Sequence, residues 1–425
     1  MKRLLYISTV WPETRSSAAG VRSFQMLKYL SNHVEVACAS ISKETKYKLE
    51  MSEISNTNAF STPCRPNDSR FDQELREYKP DVVIFERFML EEMFGWRVRK
   101  NLPETLRVVD TQDLHFLRAW REREVANMMM KETYFDAQKL REVTISGTED
   151  EFMLREIASI VRSDATLLVS PFELNLLKEK FPLVSNSKLH VAPFFYNPPQ
   201  PETFRSLERR KAWSAMTIGT FRHRPNLDSV HFLCDEISHK TERTKFRVYG
   251  AYPTKEHMNM STDRVRIMGP AKDAQETISR HRILIAPLRF GAGIKGKITD
   301  AWRSGTPVVT TPIGAEGMGW NWELGNDATW GGLIANDAQG IANCVDRLMS
   351  DDDLWYRCQS KGVELLNENF DFESQGKLLM QFLNQRFESR KIRRDSDIPQ
   401  SILWTEQFRS AEFKAKFIEK KTMRK

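Results

Sequence analysis

The chain of 425 residues lacks several features that would place it in a protein class at once. No run of about 18 apolar residues occurs, which argues against a transmembrane helix. The five cysteines are scattered, odd in number and without metal-ligand spacing, which argues for a reducing compartment and against a disulfide framework. The N-terminal apolar run is diluted by Ser8 and Thr9 and is better interpreted as a first buried strand than as a signal peptide. We therefore expect a cytoplasmic protein.

The excess of basic residues is concentrated at the C-terminus. The net charge is +7, and residues 391–425 hold ten basic and five acidic residues, so five of the seven excess charges belong to this tail. The near-neutral body contains no recognisable nucleic-acid module, which argues against a nucleic-acid partner. With Trp404, Phe413 and Phe417, the tail is predicted to be an amphipathic helix. Such a helix is solvated, docks on the protein body or makes peripheral contact with the inner membrane face.

The stretch 281–317 combines apolar runs with glycine-rich turns. One apolar run ends at the turn Gly291 to Lys297, a helical pattern follows, and a second apolar run leads to a turn at Gly314. This order predicts a right-handed β–α–β unit of a parallel sheet. Glycine turns allow a ligand to approach the backbone closely, and a helix N-terminus attracts phosphate. Because Lys295 and Lys297 add positive charge at the same place, we predict a phosphate-bearing ligand.

Alternating apolar runs and helical patterns extend over most of the chain and predict an α/β protein with two doubly wound domains. A proline-rich segment separates the two series and predicts a linker. The predicted organisation is an N-terminal domain 1–195, a linker 196–212, a C-terminal domain 213–365, a helix 366–390 that returns to the N-terminal domain, and the basic tail 391–425. A cleft between two such domains is a common site for small molecules.

Polar residues follow the predicted strands of the N-terminal domain. Asp113 and His115 come after the apolar strand 106–109, and ligands of open parallel sheets bind beyond the carboxyl ends of strands. Gly20 and Arg22 lie where the first loop meets a helix, a position that suits an anion. Local alternatives remain, because an aspartate can cap the next helix and Arg22 can be a solvated helix residue. Asp113 and His115 are the predicted catalytic residues.

The glycine turn matches two short nucleotide-binding motifs incompletely. Gly291, Gly293 and Gly296 have the spacing of the dinucleotide fingerprint, but the next strand ends without the acidic residue that binds the ribose. The turn also approaches the P-loop pattern, but Ile298 stands where Ser or Thr holds magnesium. A third interpretation uses the whole stretch.

The sequence FGAGIKGKITDAWRSGTPVVTTPIGAEGM resembles the donor-binding segment of the retaining GT-B glycosyltransferases of group 1, also called family 4. The shared elements are the glycine turn, Asp300-Ala301, Ser304-Gly305, Pro307-Val308-Val309 and Thr311 to Gly314. The resemblance extends more weakly to 219–226 and to the two-domain layout, and it covers most of 1–385. It implies the GT-B fold, in which two Rossmann-like domains face a central cleft, with the helical tail outside the resemblance.

The resemblance also implies roles for single residues. Asp300 takes the place of the glutamate that faces the nucleotide ribose, and Ala292 takes the place of the glutamate that contacts the donor sugar. The implied donor-binding residues are Gly291, Gly293, Lys295, Lys297, Asp300, Arg222, Arg224 and Glu316. On the acceptor side the implied positions are Gly20 and Arg22, near Asp113 and His115.

The function implied by the resemblance is transfer of a sugar from a nucleoside-diphosphate-sugar to a glycan, a lipid-linked sugar or another acceptor, with retention of configuration. Cationic side chains and a helix N-terminus replace a metal ion in this class, so no metal and no further cofactor are expected. Two alternatives stay open. One is a nucleotide-sugar epimerase or phosphorylase on the same fold, and the other is a nucleotide-sugar-binding protein without catalysis.

Overall fold

The computed structural model of the chain describes residues 1–14, 17–42, 57–60, 64–131, 135–143, 150–319 and 329–422. The chain divides into two compact units. Unit 1 comprises Met1–Phe116, Ile145–Tyr196 and Phe372–Lys425, and unit 2 comprises Leu117–Thr144 and Asn197–Asp371.

The strands of the described residues form two sheets. In chain order they are β1 (Arg3–Ser8), β2 (Glu35–Ser40), β3 (Thr57–Ala59), β4 (Val82–Glu86), β5 (Leu106–Asp110), β6 (Ala165–Leu168), β7 (Leu189–Val191), β8 (Lys211–Ile218), β9 (Lys245–Tyr249), β10 (Val265–Gly269), β11 (His281–Ala286), β12 (Val308–Thr310) and β13 (Gly332–Ile334). The order is β3-β2-β1-β4-β5-β6-β7 in unit 1 and β10-β9-β8-β11-β12-β13 in unit 2.

Helices connect these strands. In chain order they are α1 (Ala18–Ser31), α2 (Arg70–Tyr78), α3 (Phe88–Asn101), α4 (His115–Met130), α5 (Glu151–Arg162), α6 (Pro171–Lys180), α7 (Arg224–Phe232), α8 (Lys255–Asn259), α9 (Ala274–Ser279), α10 (Gly296–Arg303), α11 (Pro312–Ala315), α12 (Ala338–Ser350), α13 (Asp352–Phe370), α14 (Phe372–Ser396) and α15 (Ile398–Thr422). A π-helical turn, Leu233–Ile237, continues α7.

Both sheets are parallel and are covered on both faces. In β1, Leu5 pairs with Ala37 of β2 and Val83 of β4, and all three side chains are fully buried. Such double burial explains why the strands are continuous apolar runs rather than alternating ones. In each unit the strand order reverses at the first strand, between β1 and β4 and between β8 and β11. The predicted α/β class with two doubly wound sheets is therefore confirmed.

One stretch lies in a different unit from the predicted domain. Leu117–Thr144 was expected in the N-terminal domain, and the structure groups it with unit 2. The reason is packing, since Val125 and Leu140 are buried against Phe290 and Ile313 of unit 2. The apolar pattern of this stretch shows a buried face but does not identify the surface that covers it.

The segment predicted as a linker, 196–212, packs into unit 2 from Asn197 onward. Leu207 and Arg210 are only 7% and 5% exposed. Arg210 Nη1 donates to Thr306 Oγ1 at 2.7 Å and to the His281 carbonyl at 3.1 Å. Leu207 and Arg210 therefore anchor the segment on unit 2, while most of its other side chains are exposed.

Helix α14 completes the core of unit 1. Leu379 and Leu383 are fully buried in the same cluster as Leu27 of α1. Gly376 permits this approach, because a Cβ at that position would overlap the Tyr29 ring.

Helix α15 docks on unit 1 through one face. Phe408 is 4% exposed and packs with Trp96, and a Cβ on Gly95 of α3 would lie 2.8 Å from the Phe408 ring. Trp404 Nε1 donates to the Arg162 carbonyl at 2.6 Å. The tail was expected to be solvated, to dock on the protein body or to contact a membrane. The contacts of this face show that the helix docks on the protein body. Within the described part of the chain, no helix combines the length and apolarity needed to cross a membrane.

Candidate functional site

The glycine turn of unit 2 joins β11 to α10. Gly293 has a φ of 64°, a left-handed conformation that favours glycine. Lys295 is buried, and its Nζ donates to the Gly293 carbonyl at 2.8 Å, which holds the turn from within. The backbone then enters α10 at Gly296, where the helix dipole gives a positive end.

Lys297 lies in the first turn of α10. Its Nζ donates to Asn226 Oδ1 at 2.9 Å, and Asn226 Nδ2 in turn donates to the Thr220 carbonyl at 3.1 Å. The ammonium is half-buried, and this desolvation lowers the pKa of Lys297 to about 8. Asn226 is a residue that the sequence reasoning did not assign, although it lies in the 219–226 segment that shares the weaker resemblance. A cation that is partly desolvated before any ligand arrives is well prepared to bind an anion.

Asp300 is on the same face of α10, three residues after Lys297. Burial raises the pKa of its carboxyl to about 6, and the nearby Arg303 guanidinium, 3.3 Å away, opposes this rise only in part. About a third of the side chain is exposed, at 32%. The helix therefore carries, beside the glycine turn, an ammonium and a carboxylate whose pKa values are both shifted by burial.

Glu316, a predicted donor-binding residue, is buried in an ion pair. Its two oxygens accept from Arg121 Nη1 and Nη2, both at 2.8 Å, and the side chains are 2% and 0% exposed. Arg121 Nη1 also donates to the Gly291 carbonyl at 2.8 Å, and its Nε donates to the Leu140 carbonyl at 3.0 Å. The pair therefore ties the glycine turn to α4, and contact of Glu316 with a donor stays a prediction.

Arg222 precedes α7 and Arg224 is its first residue, and both are exposed. The Arg222 guanidinium stacks over the Tyr252 ring at 3.7 Å. Arg224 is 79% exposed, and its Nε is 2.5 Å from Glu122 Oε1. The structure thus gives each arginine a surface partner in unit 2, and their contact with a diphosphate stays a prediction.

In unit 1, His115 is the first residue of α4 and is 7% exposed. Its Nδ1 lies 3.1 Å from the Asp113 carbonyl and 3.4 Å from the Asp113 carboxylate, so the two predicted catalytic residues are in contact. The ring packs edge-on against Phe88, with the centroids 5.7 Å apart. Their catalytic role stays a prediction.

Buried glutamates from other helices occupy the N-terminus of α4. Glu156 accepts from the backbone N–H of His115 at 3.1 Å and of Phe116 at 2.8 Å, and Glu173 accepts from Leu114 at 2.8 Å. Sequence reasoning considered capping by a local aspartate; here carboxylates 40 to 59 residues away accept from these N–H groups. Because these carboxylates already satisfy the helix end, it is a poor site for an external anion.

Arg22 is neither solvated nor open to a ligand. It is 1% exposed, its Nη1 donates to Asp110 at 2.8 Å, and its Nε and Nη2 donate to the Ala192 carbonyl at 2.9 and 2.6 Å. Arg22 therefore forms an internal tie between α1, the end of β5 and the chain after β7, and its acceptor-side role stays a prediction. Gly20 lies against Glu13, whose Oε1 would be 2.5 Å from a Cβ at that position.

The described residues contain no group of three or more histidine, cysteine, aspartate or glutamate side chains placed to hold a metal ion. Residues 214–351, which include the glycine turn, match the family model of group 1 glycosyl transferases. A search of curated protein sequences finds no match.

Solved structures match the chain over almost its whole length. Sucrose-phosphate synthase from Thermosynechococcus elongatus superposes with a TM-score of 0.64 at 15% identity and covers 92% of this chain and 100% of its own. Anabaena HepE, in complex with UDP and glucose, gives 0.64 at 11% identity over 91% and 100%. A glycosyltransferase from Rickettsia africae gives 0.61 at 14% identity over 91% and 98%.

The chain has the fold of the GT-B glycosyltransferases. This GT-B fold was expected from the stretch around Gly291 to Gly317, and the structural match confirms it. Within the fold, the glycine turn, Lys297 and Asp300 lie at the carboxyl end of β11, beside the position where the strand order of unit 2 reverses. Ligands of doubly wound sheets bind at such positions.

Proposed function

We propose that this protein is a glycosyltransferase that takes a sugar from a nucleoside-diphosphate-sugar and transfers it to a glycan or lipid-linked acceptor in the cytoplasm. The observation that carries the proposal is the pair Lys297 and Asp300 on the first turns of α10, directly behind the glycine turn. The family match over 214–351 includes this pair. HepE complexes that contain UDP and UDP-glucose support a uridine diphosphate donor.

Lys297 is proposed to stabilise the leaving diphosphate. When the bond between the anomeric carbon and the diphosphate oxygen breaks, negative charge grows on the phosphate oxygens. The Lys297 ammonium and the N-terminus of α10 present positive charge at the turn before the reaction starts. Such preorganised charge lowers the energy of the transition state more than that of the ground state.

Asp300 is proposed to accept hydrogen bonds from the ribose hydroxyls. With a pKa of about 6, its carboxyl is mostly ionised at pH 7 and acts as an acceptor. Its place one helical turn after Lys297 suits a ligand whose diphosphate and ribose are adjacent.

The proposal includes retention of configuration and independence from a metal ion, in line with the resemblance of this segment to retaining enzymes. Lys297 and the helix end supply the positive charge that a metal ion otherwise provides. On the acceptor side we propose that His115 and Asp113 contact the sugar, since they form one polar pair at the carboxyl end of β5.

Product analysis with a panel of UDP-sugars tests this function. A glycosyltransferase gives a new glycoside only when an acceptor is added, and the anomeric configuration of that product tests retention. Conversion of the sugar nucleotide to its epimer without an acceptor identifies an epimerase. Formation of a sugar 1-phosphate from a glycoside and inorganic phosphate identifies a phosphorylase, and either result contradicts the proposal. Transfer that continues after treatment with EDTA supports metal independence.

Ala292 favours a second candidate, a nucleotide-sugar-binding protein without catalysis. It occupies the place where related proteins carry the glutamate that contacts the donor sugar, and alanine offers no polar group there. Calorimetric binding of UDP, combined with no transfer to any acceptor of a broad panel, would favour this candidate. Gain of transfer activity in Ala292→Glu would show that the missing carboxylate is the cause.

A further inference from the structure

Helix α15 presents a second face, which is turned away from unit 1. Phe413 and Phe417 are four residues apart, so they are neighbours on one side of the helix, and they are 67% and 70% exposed. Ile402, at 56% exposed, lies eleven residues before Phe413, which is about three helical turns and brings it to the same side. Single exposed apolar side chains are common on proteins, but an aligned stripe with two phenylalanines indicates an interaction surface.

Charges are sorted across the C-terminal half of this helix. The exposed basic residues between 409 and 422 are Arg409, Lys414, Lys416, Lys420 and Lys421. Of the two acidic residues of the same stretch, Glu412 pairs with Lys100 of unit 1 and with Lys416 of α15, and Glu419 accepts from the Ser69 N–H at 2.8 Å. Arg409, Lys414, Lys420 and Lys421, set against one exposed carboxylate of the stripe, Glu406, leave the outward face with an excess of positive charge beside its phenylalanines.

The docked face holds the helix firmly in this orientation. The Trp404 ring is contacted by the guanidinium groups of Arg99, Arg107 and Arg394, with the Arg107 carbon 3.6 Å from the ring centroid. Gln400 Nε2 adds a hydrogen bond of 3.0 Å to the Arg162 carbonyl. These contacts hold α15 in place as a helix. Its outward apolar stripe is therefore already ordered, and binding a partner does not have to supply the free energy of folding the helix.

Basic residues around an apolar stripe fit the chemistry of a bilayer that contains anionic lipids. Lysine side chains extend to the phosphate groups, while phenylalanine and isoleucine enter the boundary between headgroups and acyl chains. The positive charge also disfavours the simplest alternative, a second copy of the same helix, since two such faces repel each other.

We propose that the outward face of α15, formed by Ile402, Phe413, Phe417 and the basic residues around them, binds anionic membrane surfaces and holds unit 1 at the bilayer. This inference does not depend on the transferase activity.

Co-sedimentation of the full chain with vesicles tests the proposal. We expect binding to vesicles of phosphatidylcholine mixed with phosphatidylglycerol, weaker binding at high salt, and little binding to phosphatidylcholine alone. In Phe413→Ser/Phe417→Ser, loss of apolar burial should weaken binding at least about tenfold. The matched control is Leu154→Ser/Leu183→Ser, which removes exposed apolar side chains of unit 1 outside α15 and should bind as the parent chain does.

A second pair of variants separates charge from folding. Lys414→Gln/Lys421→Gln should weaken binding by about fivefold for each charge removed, whereas Lys240→Gln/Lys255→Gln on unit 2 should have no effect. All four lysines are exposed, so equal thermal unfolding of the variants and the parent is expected.

Three results would overturn the proposal. The first is parent binding that does not distinguish anionic from neutral vesicles, and the second is full binding by Phe413→Ser/Phe417→Ser. The third is a parent chain that does not bind vesicles but forms a dimer in size-exclusion chromatography, when Phe413→Ser/Phe417→Ser is a monomer. That result would assign the face to a second copy of the chain.

Discussion

Raising the pH above 8 should weaken binding of UDP, because Lys297 then loses its proton. The ammonium of Lys297 is half-buried beside Asn226, and desolvation lowers its pKa from an ordinary 10.5 to about 8. This fall corresponds to about 3 kcal/mol of unfavourable burial of the charged form. An anionic diphosphate next to Nζ offsets that burial, so the ligand binds the protonated form and raises the pKa.

The size of the effect follows from the titration. With a pKa of about 8, about nine tenths of the lysine is protonated at pH 7 and about one tenth at pH 9. The dissociation constant of UDP should therefore rise about tenfold between these pH values, with uptake of close to one proton on binding at pH 9. Below pH 7 this group should have little further effect, since it is already protonated.

Isothermal titration calorimetry in buffers of different ionisation enthalpy measures both the affinity and the proton uptake. Lys297→Arg is the matched control, because it keeps the positive charge but does not titrate in this range. Its affinity should be nearly constant from pH 7 to 9, and any titration of UDP itself affects both proteins equally. Equal pH profiles for the parent and Lys297→Arg would refute the assignment of Lys297 to the diphosphate.

Three further predictions concern the carboxylate of α10, the buried ion pair and the docked tail. UDP affinity should fall as the pH drops below about 6, where Asp300 becomes protonated, and this fall should be smaller in Asp300→Asn, which keeps only the titration of UDP itself. Glu316→Gln leaves Arg121 buried without the carboxylate that pairs with it, and the free energy of unfolding measured in urea should fall by about 3–5 kcal/mol. A fall close to zero would contradict the burial of the pair. Arg121→Met/Glu316→Met removes both charges and should be more stable than Glu316→Gln. Trp404→Ala should release α15 and speed proteolysis of the tail, because it removes the partly buried ring that packs with Phe408 and Arg107 and the hydrogen bond to the Arg162 carbonyl. Phe413→Ala, which removes an exposed ring, should leave the cleavage rate unchanged.

The fold and the glycine turn were predictable because their signals are local. Continuous apolar runs such as Leu4 to Ile7 indicate strands that are buried on both faces, and the glycines and lysines of 291–297 are neighbours in sequence. The position of Lys297 at the start of a helix followed from the same pattern, and the structure places it in the first turn of α10.

Residues that act through distant partners were not predictable in the same way. Arg121 is separated from Gly291 by 170 positions and from Glu316 by 195, so a single sequence gives no sign that they meet. Glu316 was consequently expected to contact the donor. Arg22 illustrates the same limit, since its acceptors lie at Asp110, the end of β5, and at Ala192, just after β7, and its burial cannot be inferred from the helix that carries it.

The tail shows how charge and apolarity alone leave several outcomes open. Its composition allowed a solvated helix, a docked helix or a membrane contact, because all three use an amphipathic pattern. Docking depends on residues of other elements. Phe408 packs over Gly95 of α3, and the guanidinium groups around Trp404 come from α3, β5 and α14. Only the assembled unit identifies which face is docked and which is left outward.

The most direct test of the central claim is the affinity of the full chain for UDP when Lys297 is removed. We expect calorimetry at pH 7 to show binding by the parent, at least about tenfold weaker binding by Lys297→Ala, and parent affinity in Lys255→Ala, an exposed lysine of the same unit. An unchanged affinity in Lys297→Ala, with the fold intact, would contradict the account of the glycine turn as a diphosphate site.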